Sequence, residues 1–187
     1  VEHLLRLDQA LFQAINLGSH PAWLDQTMLL LSSHAPWLTF AAFVLAFALW
    51  KRDKRLLVGL LLVGLAVGVS DVVTYELLKP GFARARPCHQ AIEFRLVQPS
   101  CGSDWGFPSN HAANGAAITT AVGLYFRRRS LTVGVAFVAL VVALSRSYLG
   151  AHFPGDLLAG FAVGGCMAAA TWVLLRRIPA FRLLSAA

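Results

Sequence analysis

Five stretches of this chain contain no charged residue: Ala35–Trp50, Leu56–Val69, Ala112–Phe126, Ser130–Ser145 and Leu157–Leu175. A helix that crosses a bilayer needs roughly 20 mostly apolar residues, and each stretch reaches that length once its flanks are counted. A soluble helix of this size needs a polar outer face, and these stretches have none. The chain is 57% hydrophobic and 13% charged, where ordinary soluble domains carry about 45–50% and about 25%. The expected fold is an all-α polytopic membrane bundle of about six membrane helices plus an N-terminal amphipathic helix, forming one domain over residues 1–187.

The net charge of +7 is clustered. Lys51, Arg52, Lys54 and Arg55 follow the first stretch, Arg127, Arg128 and Arg129 the third, and Arg176 and Arg177 the last. A nucleic-acid patch is one reading of such basicity. Short basic turns between apolar stretches fit the positive-inside rule better, and no nucleic-acid partner is expected. The clusters and the C-terminus then lie on the cytoplasmic side of a plasma (inner) membrane. The segment 79–110 and the turn Arg146–Gly155 lie on the other side.

Residues 1–20 lack the basic start and apolar core of a signal peptide. Leu4, Leu7, Leu11, Ala14 and Ile15 follow a helical period, which predicts an amphipathic helix lying on the membrane. Trp23–Leu31 follows the break Gly18-Ser19-His20-Pro21 and carries Asp25. A short first span and a re-entrant segment both stay open for it. Cys166 falls mid-stretch and reads as a packing residue. Cys88 and Cys101 share the extracytoplasmic segment, where oxidation is permitted, and are expected to form a disulfide. Gly59, Gly64, Gly68, Gly160, Gly164 and Gly165 lie within the stretches and suit close helix packing. Gly160 and Gly164 form a small-xxx-small pair, for which a homodimer face is the alternative.

Three groups of polar residues meet on the extracytoplasmic side. The first is Lys79, with Arg84 and Arg86-Pro87 shortly after it. Positive charge is disfavoured on this side, so these cations need an anionic partner. Asp71 and Glu76 lie upstream, and Glu76, three residues before Lys79, is expected to share a helical face with it. The second is Pro108-Ser109-Asn110-His111, which opens an apolar stretch. A helix that starts there offers free N–H groups and a positive dipole end, an anion site in waiting. Ser109 adds a hydroxyl and His111 a proton that moves near neutral pH. Read alone, Ser109 is a helix cap. The third is Arg146, His152 and Asp156, with Pro154 and Gly155 marking a helix start. A carboxylate beside one imidazole nitrogen raises the basicity of the other.

Read together, the groups describe phosphoryl chemistry. Lys79, Arg86 and Arg146 neutralise a phosphate, and guanidinium groups suit its bidentate geometry. His152 attacks phosphorus with Asp156 holding its tautomer. His111 protonates the leaving oxygen and then activates water. Ser109 and Asn110 belong to the phosphate cradle, and Glu76, Asp71 and Arg84 stand behind it. No cluster of carboxylates is left to bind a metal ion, so neither metal nor cofactor is expected.

In these residues the chain resembles the type 2 phosphatidic acid phosphatases, the lipid phosphate phosphatases. Their signatures are a Lys, six residues and Arg-Pro; Pro-Ser-x-His; and Ser-Arg, five residues, His, three residues and Asp. They are met by Lys79…Arg86-Pro87, by Pro108-Ser109-Asn110-His111 and by Ser145-Arg146…His152…Asp156. The usual Gly of the middle motif is Asn110 here, a residue that also tolerates left-handed backbone. The resemblance implies a metal-independent membrane phosphatase with phosphohistidine at His152. Vanadium haloperoxidases resemble the same motifs but are soluble, which the apolar stretches oppose. The substrate expectation is undecaprenyl diphosphate, in cell-envelope biogenesis. Phosphatidylglycerophosphate, phosphatidate and lipid A 1-phosphate stay open, as does a non-catalytic lipid-phosphate binding or flipping protein.

Overall fold

The computed structural model describes residues 2–18, 21–179 and 181–182. Of the predicted break after the first helix, Ser19 and His20 lie outside the described residues. All regular elements among the described residues are helices. The α-helices are α1 (Glu2–Asn16), α2 (Ala22–Ser32), α3 (His34–Lys51), α4 (Lys54–Val72), α5 (Lys79–Phe82), α6 (Asn110–Phe126), α7 (Arg129–Tyr148) and α8 (Pro154–Leu175), with a 3₁₀ turn at Pro87–His89. A π-helical turn, Val73–Leu78, joins α4 to α5 in one rod, Lys54–Phe82. Hydrocarbon offers no partner for backbone polar groups, so apolar segments close their hydrogen bonds internally as helices.

Among the described residues four helical segments are long and apolar enough to cross a membrane: α3, the α4–α5 rod, α7 and α8. At 17 residues α6 is slightly shorter and packs against α4, α7 and α8 at the centre of the bundle. The short helix α2 has 11 residues, about 16 Å at 1.5 Å per residue. That is half of a ~30 Å hydrocarbon core, so Trp23–Leu31 is not a full span. Its Asp25 binds Arg95 through both carboxylate oxygens, at 2.9 and 3.0 Å, and accepts a hydrogen bond from the Tyr148 hydroxyl.

The core between α4, α6 and α8 is built from Leu62, Ala66, Ala117, Ala121, Tyr125 and Ala168. Alanine lets helix backbones approach, and dispersion contact replaces the hydrophobic drive that lipid removes. Large apolar residues such as Phe40, Phe43, Phe137, Leu158 and Leu174 point outward, as a lipid-facing girdle requires. The basic clusters are exposed at the end of the bundle where the Tyr125 hydroxyl reaches the Arg55 carbonyl, 2.9 Å away. The polar motif residues gather at the opposite end.

Not every small residue packs as expected. A Cβ on Gly160 or Gly164 would collide with the α6 backbone at Ser109 and Ala113. This pair is therefore occupied within the chain rather than free for a homodimer face. Nothing lies within 4 Å of a Cβ on Gly64 or Gly68, and Cys166 is exposed. All three face outward, because Leu62, Ala66 and Ser70 take the inner side of α4 and Gly164 and Ala168 that of α8.

Gly164→Val is expected to destabilise the bundle by about 1–3 kcal/mol, as overpacking does. Gly68→Val on the open face is expected to leave it unchanged. Thermal unfolding in detergent separates them; equal midpoints for the two variants would contradict this packing.

Candidate active site

His152 stands in the short connection between α7 and α8, and Asp156 one turn later in the first turn of α8. The spacing of four residues puts both on one side of the helix start. His152 Nδ1 lies 3.3 Å from Asp156 Oδ2, at the long end of a hydrogen bond. On the other edge of the ring, Arg86 Nη1 lies 3.0 Å from His152 Nε2. A guanidinium only donates, so Nε2 must accept and the ring proton must sit on Nδ1, facing Asp156. The arrangement thus leaves the Nε2 lone pair directed toward the cations.

Asp156 is fully buried and each of its oxygens is engaged. Oδ1 accepts from Arg84 Nη1 at 2.7 Å, and Oδ2 accepts from the Phe153 N–H at 3.0 Å as well as facing His152. Its backbone carbonyl accepts from the Ser109 N–H at 3.0 Å. That bond ties the start of α6 to the start of α8, and so joins two motifs that are distant in sequence.

Lys79 opens α5, the last turn of the rod that begins at α4, and 4% of its surface is exposed. It is helical rather than part of the following loop, which spans 83–109. Its Nζ donates to the Trp105 carbonyl at 3.1 Å. Arg86, 6% exposed, is held by the loop: Nε donates to the Ser103 carbonyl, Nη2 to the Ser103 hydroxyl and Nη1 to the Ala151 carbonyl. Cys88 and Cys101 are joined by a disulfide across this loop, with Cα atoms 6.3 Å apart. Gly106 sits where a Cβ would lie 3.1 Å from Asp156 Oδ2 and 3.3 Å from Arg86 Cγ, so a side chain there would press on both.

Ser109 is at the N-cap position of α6, preceded by a cis Phe107–Pro108 bond, but its hydroxyl does not cap the helix. It is fully buried with no hydrogen-bond partner among the described residues, and so is Arg146 Nε. Arg146, in the last turn of α7, donates to the Ser32 hydroxyl through Nη1. His111 Nε2 donates to the Ser32 carbonyl at 3.0 Å, and its ring lies 5.4 Å from that of His34. Lys79, Arg86, Arg146 and His111 all lie close enough to His152 to act on its charge. Burial, then Arg86, Arg146 and Lys79, hold the His152 imidazolium pKa well below its usual value, so the ring is neutral near pH 7.

Two expected contacts fall elsewhere. Glu76 is exposed and forms no ion pair with Lys79, because the π turn between them breaks the i, i+3 register of an α-helix. The Asn110 amide is directed away from the cations. It donates to Asp71 Oδ1 at 2.8 Å, as does Asn114 at 3.0 Å, so Asn110 offers the cradle its backbone and Asp71 fixes α6 to α4.

Other contacts were not anticipated. Arg84 bridges Asp156 to Asp8 of α1, with Nη2 2.6 Å from Asp8 Oδ2. Ser32 and Ser103 hold Arg146 and Arg86. The one signal for Asp8 was Arg84 itself, a cation on the side expected to lack positive charge.

Among the described residues the only compact group of metal-ligand types is Cys88, His89 and Cys101, and its two cysteines are bonded to each other. At the site itself three cations converge where a metal ion would be repelled.

The comparisons place the chain among membrane lipid phosphatases. The chain is 31% identical to the lipid A 4'-phosphatase of Porphyromonas gingivalis over 170 residues, which is 88% of this chain and 71% of that one. It is 25% identical to the undecaprenyl-diphosphatase BcrC of Bacillus subtilis over 162 residues, 84% of this chain and 78% of the relative. Its fold matches the crystal structure of Aquifex aeolicus LpxE with a TM-score of 0.71 at 23% identity, over 89% of this chain and 95% of the other. The PAP2 superfamily itself matches residues 59–179, the interval that holds all three polar motifs, and the chain belongs to that superfamily.

Proposed function

We propose that this lipid phosphate phosphatase works through a phosphohistidine on His152, at the extracytoplasmic face of the inner membrane. The observation that carries the reading is a buried, anion-deficient site at His152. Lys79, Arg86 and Arg146 surround it, and the Ser109 hydroxyl and Arg146 Nε are buried donors without a partner. Buried cations and unpaired donors are costly, and a bound phosphate relieves both. The N-terminus of α6 adds N–H groups and the positive end of its dipole.

The first step forms an Nε2–P bond and breaks the P–O bond to the lipid. As phosphate enters, its oxygens take over the Arg86 donors that now cap Nε2. Asp156 accepts the Nδ1 proton's hydrogen bond and stabilises the imidazolium that forms. The bound phosphate anion favours the imidazolium form of His111, which gives a proton to the leaving lipid oxygen and becomes neutral. In the second step His111 takes a proton from water, which attacks phosphorus and releases inorganic phosphate and free His152. The cations and Ser109 stabilise the charge on the phosphoryl oxygens in both steps.

For the substrate, the 31% identity to a lipid A 4'-phosphatase favours a phosphate monoester on a lipid-anchored sugar. Undecaprenyl diphosphate, the first expectation, is the second reading, supported by the BcrC relative. A panel of lipid A phosphate, undecaprenyl diphosphate, phosphatidylglycerophosphate and phosphatidate decides between them, and a preference for either glycerophospholipid would contradict both.

Wild-type protein in detergent with excess chelator is expected to release inorganic phosphate from its lipid substrate. His152→Ala is expected to lose roughly 10⁴-fold or more of that rate, and His111→Ala about 10²–10⁴-fold. Release by His152→Ala at the wild-type rate would refute the nucleophile.

The pH dependence follows from the neutral ring. A nucleophile whose pKa is lowered stays unprotonated as pH falls, so the acid limb of kcat/KM is expected below pH 6.5. Arg86→Gln removes one cause of the depression and is expected to move that limb upward. A wild-type acid limb at or above 6.5 would contradict this electrostatic account.

A further inference from the structure

The two sides of α1 do different things. Leu4, Leu7 and Leu11 are exposed on one side, where the bilayer surface covers an amphipathic helix. Asp8, Phe12 and Asn16 lie at i, i+4 and i+8 on the other side and face the protein, with Phe12 and Asn16 fully buried. This second stripe grips the segment that carries His152 and Asp156. Phe12 packs edge-on against Phe153 with ring centroids 5.2 Å apart. Asp8 Oδ1 accepts the Gly155 N–H at 2.7 Å, and Asp8 Oδ2 accepts Arg84 Nη2 at 2.6 Å. Asn16 donates to the Tyr148 carbonyl at the end of α7, 2.8 Å away.

Resting on the phosphohistidine reading, we infer that Asp8 is a positioning residue for phosphoryl transfer. It acts through Arg84 and Gly155 on Asp156, and through Asp156 on His152. The physical reason lies in how Arg84 is shared. Its guanidinium sits between two carboxylates, over the Phe153 ring at 4.5 Å, and gives one N–H edge to each. Without Asp8 the guanidinium is free to turn both edges to Asp156, a geometry that such pairs favour. Asp156 would then be drawn toward Arg84 and away from His152 Nδ1. The Asp156–His152 contact is already 3.3 Å and has little slack. Loss of Asp8 also releases the Gly155 N–H, one residue before Asp156.

Asp8 does not touch the phosphate cradle, so its removal should spare ground-state phosphate binding and slow the chemistry. A displacement near 1 Å costs up to about 100-fold in rate. The test uses the full chain in detergent. Folded sites are counted by titration with inorganic phosphate, and turnover is expressed per phosphate-binding site. Asp8→Asn is expected to lower kcat per site by about 10–100-fold, with KM and inorganic phosphate affinity within twofold of wild type. Asp8→Glu, which keeps the charge, is expected to recover part of the rate. In an Arg84→Gln background, Asp8→Asn is expected to cost less than it does in wild type, because only the hold on Gly155 is then left to lose.

Wild-type turnover in Asp8→Asn, with His152→Ala inactive, would overturn the inference and leave the phosphatase reading standing. Full additivity with Arg84→Gln would also overturn it, since it would assign Asp8 a separate structural role. A wild-type chain that releases no phosphate from any lipid phosphate would overturn both.

Discussion

A carboxylate buried at the mouth of a membrane helix stays ionised only if its surroundings replace the water it lost. Asp156 has no exposed surface, and three partners do this for its carboxylate. Arg84 and the Phe153 N–H neutralise its oxygens, His152 shares one of them, and Ser109 binds its main-chain carbonyl. Breaking one side of such a buried network strands the rest, so its members hold each other in place. The starts of α6 and α8, the loop 83–109 and the proposed nucleophile are all positioned from this one residue. The same electrostatics point outward as well. Asp156 is engaged with Arg84 and His152, which leaves Lys79, Arg86 and Arg146 without a full anionic counterpart. A phosphate supplies it.

The membrane dictates where such a site can be. The interior of the bundle is alanine, leucine and glycine, and its helices close their own hydrogen bonds. Polar side chains are tolerated at helix ends, where unpaired backbone groups already require partners. Hence three motifs spread over nearly 80 residues meet at one end of the bundle, and the arginine clusters occupy the other. The arrangement suits a substrate whose phosphate lies at the interface and whose tail stays in lipid. The loop 83–109 closes over this end through its disulfide and through the hold of Ser103 and Trp105 on Arg86 and Lys79.

How much of this was legible in the sequence depended on the kind of signal. The charge-free stretches marked five helices to within a few residues, because length and hydropathy are properties of single segments. The motif spacings brought out Lys79, Arg86, Ser109, His111, Arg146, His152 and Asp156, which the structure gathers at one end of the bundle. Facing was harder to read. Helices that are apolar on every side carry no moment to mark the inner face, so Gly64, Gly68 and Cys166 point outward against expectation. Glu76 was misjudged because an α-helical register was assumed across a π turn. In α1 the leucine stripe was visible and its opposite face was not. Asp8, Phe12 and Asn16 matter through partners more than 70 residues away, and no local pattern announces those contacts. Likewise Asn110 looked like part of the phosphate cradle until Asp71 was placed beside it.

The central claim is a covalent one: phosphate passes through His152. The most direct measurement is a rapid acid-free quench of enzyme turning over a ³²P-labelled lipid phosphate, followed by peptide mapping of the retained label. The account predicts a phosphoramidate that is stable in alkali, hydrolyses in acid and maps to the peptide containing His152. It also predicts that the label accumulates in His111→Ala when the leaving group is good enough to depart without protonation, because the water step then lacks its base. An active wild-type enzyme that retains no label while phosphate release continues, or label on another residue, would contradict it.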